Sequence, residues 1–294
     1  MSIADDQAVA ELIALARRED LGPADITASL IGDPNAGATF RLMAKQPGVF
    51  AGCEVAPAIV HAYDPSIEIA WTDAARDGFT IESAPLELAL LHGPLGSLLS
   101  AERVLLNFLQ HLSGVATLTR AFVDAVEGTN AKILDTRKTT PGWRTLEKYA
   151  VRCGGGTNHR QGLFDAVLIK DNHLSGVERQ RLAGTIFDML NRLASSDAKP
   201  AMVEIEAGSL AEVEGLLKVM GIDVILLDNF SLDELREAVQ LRKDCGLCDK
   251  IALEASGGIQ LNNVRDVART GVDRISVGAL THSVSALDLS MERV

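Results

Sequence analysis

No apolar run in this sequence approaches the ~18 residues needed to cross a bilayer as a helix, so a helical membrane protein is excluded. Cysteine is scarce. Only Cys53, Cys153, Cys245 and Cys248 are present, too few for a disulfide framework and in keeping with a reduced, cytosolic protein. Cys245 and Cys248 form a C-x-x-C with no second Cys/His pair at metal spacing. The pair follows a helical stretch instead of heading a βα unit, and it reads as incidental thiols. Positive charge is also in deficit: 28 Lys and Arg face 40 Asp and Glu, a net charge of −12. A generally basic face for nucleic acid is thereby ruled out. The opening MSIADDQAVAELIALARRED is amphipathic and acidic early on, unlike a signal or transit peptide, so a cytoplasmic setting is expected. Gly/Ser linkers, low-complexity tracts and short repeats are missing too, which leaves domain boundaries to be read from changes of pattern.

What is present suits an ordinary globular protein. The 294 residues are 47% hydrophobic and 23% charged, enough for about two domains of ~150 residues. Residues 1–112 mix a helix (Val9 to Arg18), strand-like pieces (Ala38 to Ala44, Ile67 to Thr72) and Gly-Pro or Asp-Pro turns, as in an α+β domain. In SAERVLLNFLQHLSGVATL, Ser100 reads as an N-cap, with apolar residues following at helical spacing. From about residue 130, short apolar runs (KILDT, AVLIKD, MVEIEA, VILLDN, IALEAS, RISVGA) alternate with helices. Ser209-x-x-Glu212 and Ser231-x-x-Glu234 match capping boxes, and Gly221 and Gly246 stand at C-terminal stops. Near-continuous apolar strands separated by helices predict a parallel sheet. Asp135 with Arg137, Lys170, Glu206, Asp228, Ser256 and Gly278 all fall at strand ends. Polar groups collect there in a β/α barrel. The expected architecture is an incomplete barrel of about six or seven strands over residues 113–279, with the tail 280–294 joining the N-terminal domain.

Three constellations carry chemistry. Between Thr136 and His173, seven Lys/Arg face three acids, a local +4 that leaves −16 for the rest of the chain. Arg137, Lys138, His159, Arg160 and Lys170 lie at strand ends or in the following loops and read as an anion site. Arg144, Lys148 and Arg152, at fourfold spacing, read as one solvated helix face. His173 is equally a site residue or a partner of Asp171 or Asn172. Glu206 and Asp228 end apolar strands, so their carboxylates point into an enclosed space and call for a cation or sugar hydroxyls. Glu204 shares the strand face of Glu206, and Glu254 stands similarly before Ser256, without an evident partner. Ser256-Gly257-Gly258 and Val277-Gly278-Ala279 end the last two strands, where such barrels bind phosphate. Together these imply an enzyme for a phosphorylated substrate and a second anion.

The segment LDTRKTTPGWRTLEKYAVRCGGGTNHRQGLFDAVLIKDNHL resembles the quinolinate phosphoribosyltransferase family. EDLGPADIT, GVFAG, SAERVLLNFLQHLSG, VEIEA, LLDNF, LEASGGI and ISVGALTHS agree along nearly the whole length. Departures are confined to Ala24 and Thr157, neither a site position. The resemblance implies an N-terminal α/β sandwich with an incomplete β/α barrel. It also implies a homodimer in which one subunit's N-terminal domain closes the other's barrel. The implied reaction joins quinolinate to phosphoribosyl pyrophosphate (PRPP) with Mg²⁺, releasing pyrophosphate and CO₂ and giving nicotinate mononucleotide. By the same resemblance, Arg103, Thr136, Arg137, Lys138, His159, Arg160 and Lys170 contact quinolinate. Lys138, Lys170, Glu206 and Asp228 attend PRPP, the acids also attend the metal, and Lys138, Glu206 and Asp228 form the catalytic set. Ser256, Gly257, Gly258, Val277, Gly278 and Ala279 hold phosphate, and the triple glycine turns His159 and Arg160 toward the dicarboxylate. Remaining alternatives are a molybdenum-transport paralogue, another pyridine phosphoribosyltransferase, or a noncatalytic phosphometabolite sensor, against which Glu206 and Asp228 argue.

Overall fold

A computed structural model describes residues 3–73, 75–178 and 181–294. The chain divides into two compact units, one of residues 1–120, 138–156 and 280–294, the other of residues 121–137 and 157–279.

The first unit is built on a four-stranded antiparallel sheet, in the order Leu289–Arg293, Gly37–Ala44, Leu86–Pro94, Glu68–Trp71. Along GATFRLMA, Phe40, Leu42 and Ala44 are buried, the period of two that turns alternate side chains to one face. Helix Gln7–Leu21 is capped by Asp6, whose carboxylate accepts from the N–H groups of Ala8 and Val9. It buries Val9 and Ile13, and helix Ala56–Tyr63 buries Ile59 and Val60.

Two local expectations need correction here. The long helix starts at Leu95, not at Ser100, and runs to Ala125. Leu98, one turn before Ala101, is fully buried, so core contact carries the helix further back. The Ser100 hydroxyl, no longer a cap, donates to Asp25 at 2.8 Å. In helix Arg144–Cys153, Lys148 is buried, along with Leu146, Glu147, Tyr149, Ala150 and Val151. Fourfold spacing puts Arg144, Lys148 and Arg152 on one face, but it does not say whether that face is covered.

The second unit holds six parallel strands, in the order Lys132–Leu134, Arg274–Ser276, Ala252–Ser256, Val224–Asp228, Val203–Ala207, Val167–Ile169. Val224, Ile225, Leu226 and Leu227 are buried in succession, as befits a strand covered on both faces. Lys132–Leu134 and Val167–Ile169 end the hydrogen-bonded order, and a single parallel bridge from Leu134 to Thr157 marks the gap. The barrel is therefore incomplete, as expected. Helix Leu232–Asp244 has the predicted capping box, with Ser231 and Glu234 exchanging bonds. Helix Leu210–Leu216 does not, because Glu212 instead accepts from the Gly208 N–H at 2.8 Å. No helix among the described residues is long and apolar enough to cross a membrane.

Candidate active site

The glycines at residues 154–156 serve close packing. A Cβ on Gly154 would lie 2.5 Å from the Ala116 carbonyl, and one on Gly156 would lie 2.8 Å from Thr119 Cγ2, both on the long helix. Gly155 has φ +89°, a left-handed conformation that glycine tolerates best. Beyond the turn, buried Asp135 fixes the next segment, accepting from Asn158 Nδ2 at 2.5 Å and from the His159 N–H at 2.8 Å. Asp165 shapes the following loop by accepting from the N–H groups of Gln161 and Gly162 at 2.7 and 2.8 Å.

Thr136, Arg137, His159, Arg160 and Lys170 belong to the second unit, Arg103 and Lys138 to the first. Burial and the neighbouring Arg137 guanidinium together lower the Arg160 pKa. Two like charges held this near each other mark a place prepared for an anion. Arg103 is exposed on the long helix. Lys138 lines a cavity of about 470 Å³ with Thr139, Thr140, His111 and His282, all of the first unit.

The His159 ring is directed at acids. Nε2 lies 2.8 Å from Glu204 Oε2 and 3.5 Å from Glu254 Oε1, and both carboxylates are fully buried. Arg274 Nε donates to the other Glu254 oxygen at 2.7 Å. Burial disfavours a charged imidazole, whereas the two carboxylates pull the His159 pKa upward. Burial and Glu254 raise the Glu204 pKa, whereas at Glu254 the nearby His159 ring and the charge of Arg274 overcome burial and lower it. An imidazolium donates from both nitrogens, yet His159 Nδ1 accepts the Arg160 N–H at 2.7 Å. The retained proton therefore belongs on the Nε2 side, between the ring and Glu204. Among the described residues these three bring ligand-capable atoms within 4.8 Å of one another, and Arg274 supplies one positive charge to the cluster through Glu254.

Glu206 and Asp228 line a second cavity, of about 430 Å³, at the strand ends with Asp171, Glu212 and Gly208. Lys170 Nζ stands 3.3 Å from Glu206 Oε2. Four carboxylates on one opening, Glu206, Asp228, Asp171 and Glu212, offer the oxygen donors that Mg²⁺ prefers. The Ser256-Gly257-Gly258 loop has φ +92° at Gly257 and +62° at Gly258, and Ser256 and Gly257 line a neighbouring cavity of about 300 Å³. Gly278 and Ala279 are half-buried at the end of the last strand, beside buried Val277.

Sequence reasoning passed over Asp171 and Arg274. Asp171 had a signal, its place directly after a strand-end lysine. Arg274 had none, because it meets Glu254 only through the cross-strand register that sets the two side by side. His173 Nδ1 accepts from the Lys170 N–H at 2.9 Å, a backbone partner other than the expected Asp171 or Asn172. Cys245 and Cys248 are exposed free thiols.

Comparison with known proteins gives a consistent result. Residues 25–113 match the quinolinate phosphoribosyl transferase N-terminal domain, and residues 115–292 match its C-terminal domain. A nicotinate-nucleotide pyrophosphorylase [carboxylating] from Mycobacterium leprae is 41% identical over 299 residues, covering 99% of both chains. A probable enzyme of the same name from Bacillus subtilis is 39% identical, covering 93% of this chain and 89% of its own. The solved nicotinate-nucleotide pyrophosphorylase from Francisella tularensis superposes with a TM-score of 0.87 at 36% identity, covering 100% of this chain and 99% of that one.

Proposed function

Since the chain belongs to the quinolinate phosphoribosyl transferase family, we propose that it joins quinolinate to PRPP, giving nicotinate mononucleotide, CO₂ and pyrophosphate for NAD synthesis. The observation carrying this reading is the Arg137–Arg160 pair in the same unit as the strand-end acids Glu206 and Asp228. Quinolinate is a pyridine with two adjacent carboxylates. Arg137 and Arg160 can each grip a carboxylate through two parallel N–H bonds, and Lys170 adds a compact positive charge. Thr136 and His159 belong to the same unit as the pair, Lys138 follows Arg137 directly in the chain, and Arg103 is supplied by a second copy of the chain in a homodimer.

The ring nitrogen attacks C1 of the ribose as the C1–oxygen bond to pyrophosphate breaks. Positive charge developing at C1 is stabilised by Glu206 and Asp228, directly or through the ribose hydroxyls. Lys138 neutralises the departing pyrophosphate. The product is a pyridinium, so the electron pair left at C2 when CO₂ departs is stabilised by the adjacent cationic nitrogen and then takes a proton from water. No covalent nucleophile is needed. The residues of this chain position charge throughout.

Ser256, Gly257, Gly258, Val277, Gly278 and Ala279 hold the 5′-phosphate through backbone N–H groups, which the positive φ values of Gly257 and Gly258 support. Glu206 and Asp228, with Asp171, would hold Mg²⁺, whose chemistry is to neutralise pyrophosphate charge. Four free cysteines, two of them exposed, accord with a cytoplasmic setting. The deciding experiment measures Mg²⁺-dependent CO₂ release from carboxyl-labelled quinolinate with PRPP, with nicotinate as the competing substrate. Release only when both substrates and Mg²⁺ are present is expected. Turnover of nicotinate without release from quinolinate would overturn the reading.

A further inference from the structure

The second unit holds a buried charged cluster of His159, Glu204, Glu254 and Arg274. Glu204 and Glu254 project from the same faces of their strands as Glu206 and Ser256, two residues earlier in each case. Two carboxylates in a barrel interior are costly to bury unless each is paired. Leucine or valine would fill the space without that cost. What the acids do instead is hold an imidazole by one edge. Glu204 Oε2 and Glu254 Oε1 face His159 Nε2 at 2.8 and 3.5 Å. The other edge, Nδ1, accepts the backbone N–H of Arg160 at 2.7 Å. Arg274 completes the row, its Nε donating to Glu254 Oε2 at 2.7 Å.

The His159 ring is thus a strut between the barrel interior and the peptide that carries the Arg160 guanidinium. A carboxylate on one nitrogen fixes which nitrogen bears the proton and leaves the other as an acceptor. Rotating or flipping the ring would lose both the Glu204 contact and the Arg160 N–H bond together. Arg274 prevents Glu254 from turning away, and its own side chain is largely buried, at 20% exposure. The geometry points to Glu254 and Arg274 as positioning residues for the dicarboxylate grip, acting through His159 on Arg160. The inference rests on the assignment of Arg160 to quinolinate proposed above.

Steady-state kinetics of Glu254→Gln, Arg274→Met, Arg274→Lys and Arg160→Ala test it, with quinolinate and PRPP varied separately. Glu254→Gln and Arg274→Met are expected to raise KM for quinolinate at least tenfold while KM for PRPP stays within twofold. Arg274→Lys, which keeps the positive charge, is expected to recover most of the loss. A purely structural row would lower the melting temperature and move both KM values together, or neither, and that result overturns the inference. Arg160→Ala separates the two levels. If it leaves KM for quinolinate unchanged, the assignment of Arg160 itself fails. If it raises KM while the Glu254 and Arg274 variants do not, only the positioning role fails. Nitrogen-15 spectra of histidine-labelled protein without substrate give a readout independent of turnover. Nδ1 of His159 is expected as an unprotonated acceptor in the wild type and as a mixture of tautomers in Arg274→Met. The same mixture in the wild type would also overturn the inference.

Discussion

A methyl group placed on Gly257 would lie 2.1 Å from Oδ1 of Asn229. Asn229 has a positive φ of 57°, its N–H donates to the Ser256 carbonyl at 2.9 Å, and its side-chain amide donates to Asp228 at 2.7 Å. Gly257 therefore sets the spacing between the phosphate-type loop and a carboxylate on the next strand. Gly257→Ala would impose backbone strain of ~1–3 kcal/mol and push Asn229 away from Asp228. We expect a lower melting temperature and at least a tenfold loss in kcat/KM for PRPP, measured by calorimetry and by initial rates.

The lowered pKa of Arg160, caused by burial and by Arg137, leads to a second prediction. Removing either guanidinium relieves repulsion in the empty protein, so neither loss should destabilise the fold. Arg137→Ala and Arg160→Ala should each raise KM for quinolinate by ~10²-fold, the cost of ~3 kcal/mol for a charge-assisted pair. Wild-type KM values in both variants would remove the dicarboxylate site from this place.

How much of this could be read from the chain depends on the distance over which each feature is decided. The Ser231–Glu234 box was legible because both partners lie within one turn and nothing else competes for them. The Ser209 box has the same letters, but Glu212 bonds to Gly208 instead. The parallel strands and the polar residues at their ends were legible because burial on both faces leaves an unbroken apolar run. The burial of Lys148 and the Glu254–Arg274 contact were not, since each depends on what the fold brings alongside. Glu204 was visible as a buried acid, but its tie to His159 needed the turn at residues 154–156 to be seen packed against Ala116 and Thr119.

Cysteine chemistry supplies a third prediction. Burial, chiefly, together with Asp77 pushes the thiols of Cys53 and Cys153 up to about 12. A raised thiol pKa means less thiolate, the reactive form, at any pH below it. At pH 8 the fraction is ~10⁻⁴ for a pKa near 12. Cys245 and Cys248 are exposed. Titration of the native protein with a chromogenic disulfide at pH 8 should show two fast equivalents per chain. The other two should react only after unfolding, and four fast equivalents would contradict the burial.

The assignment of Arg103 to a partner's active site makes a prediction that no single variant can test. If each site takes Arg103 from one chain and Lys138 from the other, then Arg103→Ala and Lys138→Ala homodimers are each inactive at both sites. In a heterodimer of the two variants, one site receives both defects and the other receives neither. Mixing the inactive proteins under conditions of confirmed subunit exchange should therefore recover activity. At random association half the dimers are mixed and each has one intact site, so the ceiling is about one quarter of the wild-type rate. If both residues served the site of their own chain, every site in every dimer would carry one defect. Mixing would then recover nothing, and the shared-site arrangement would be abandoned.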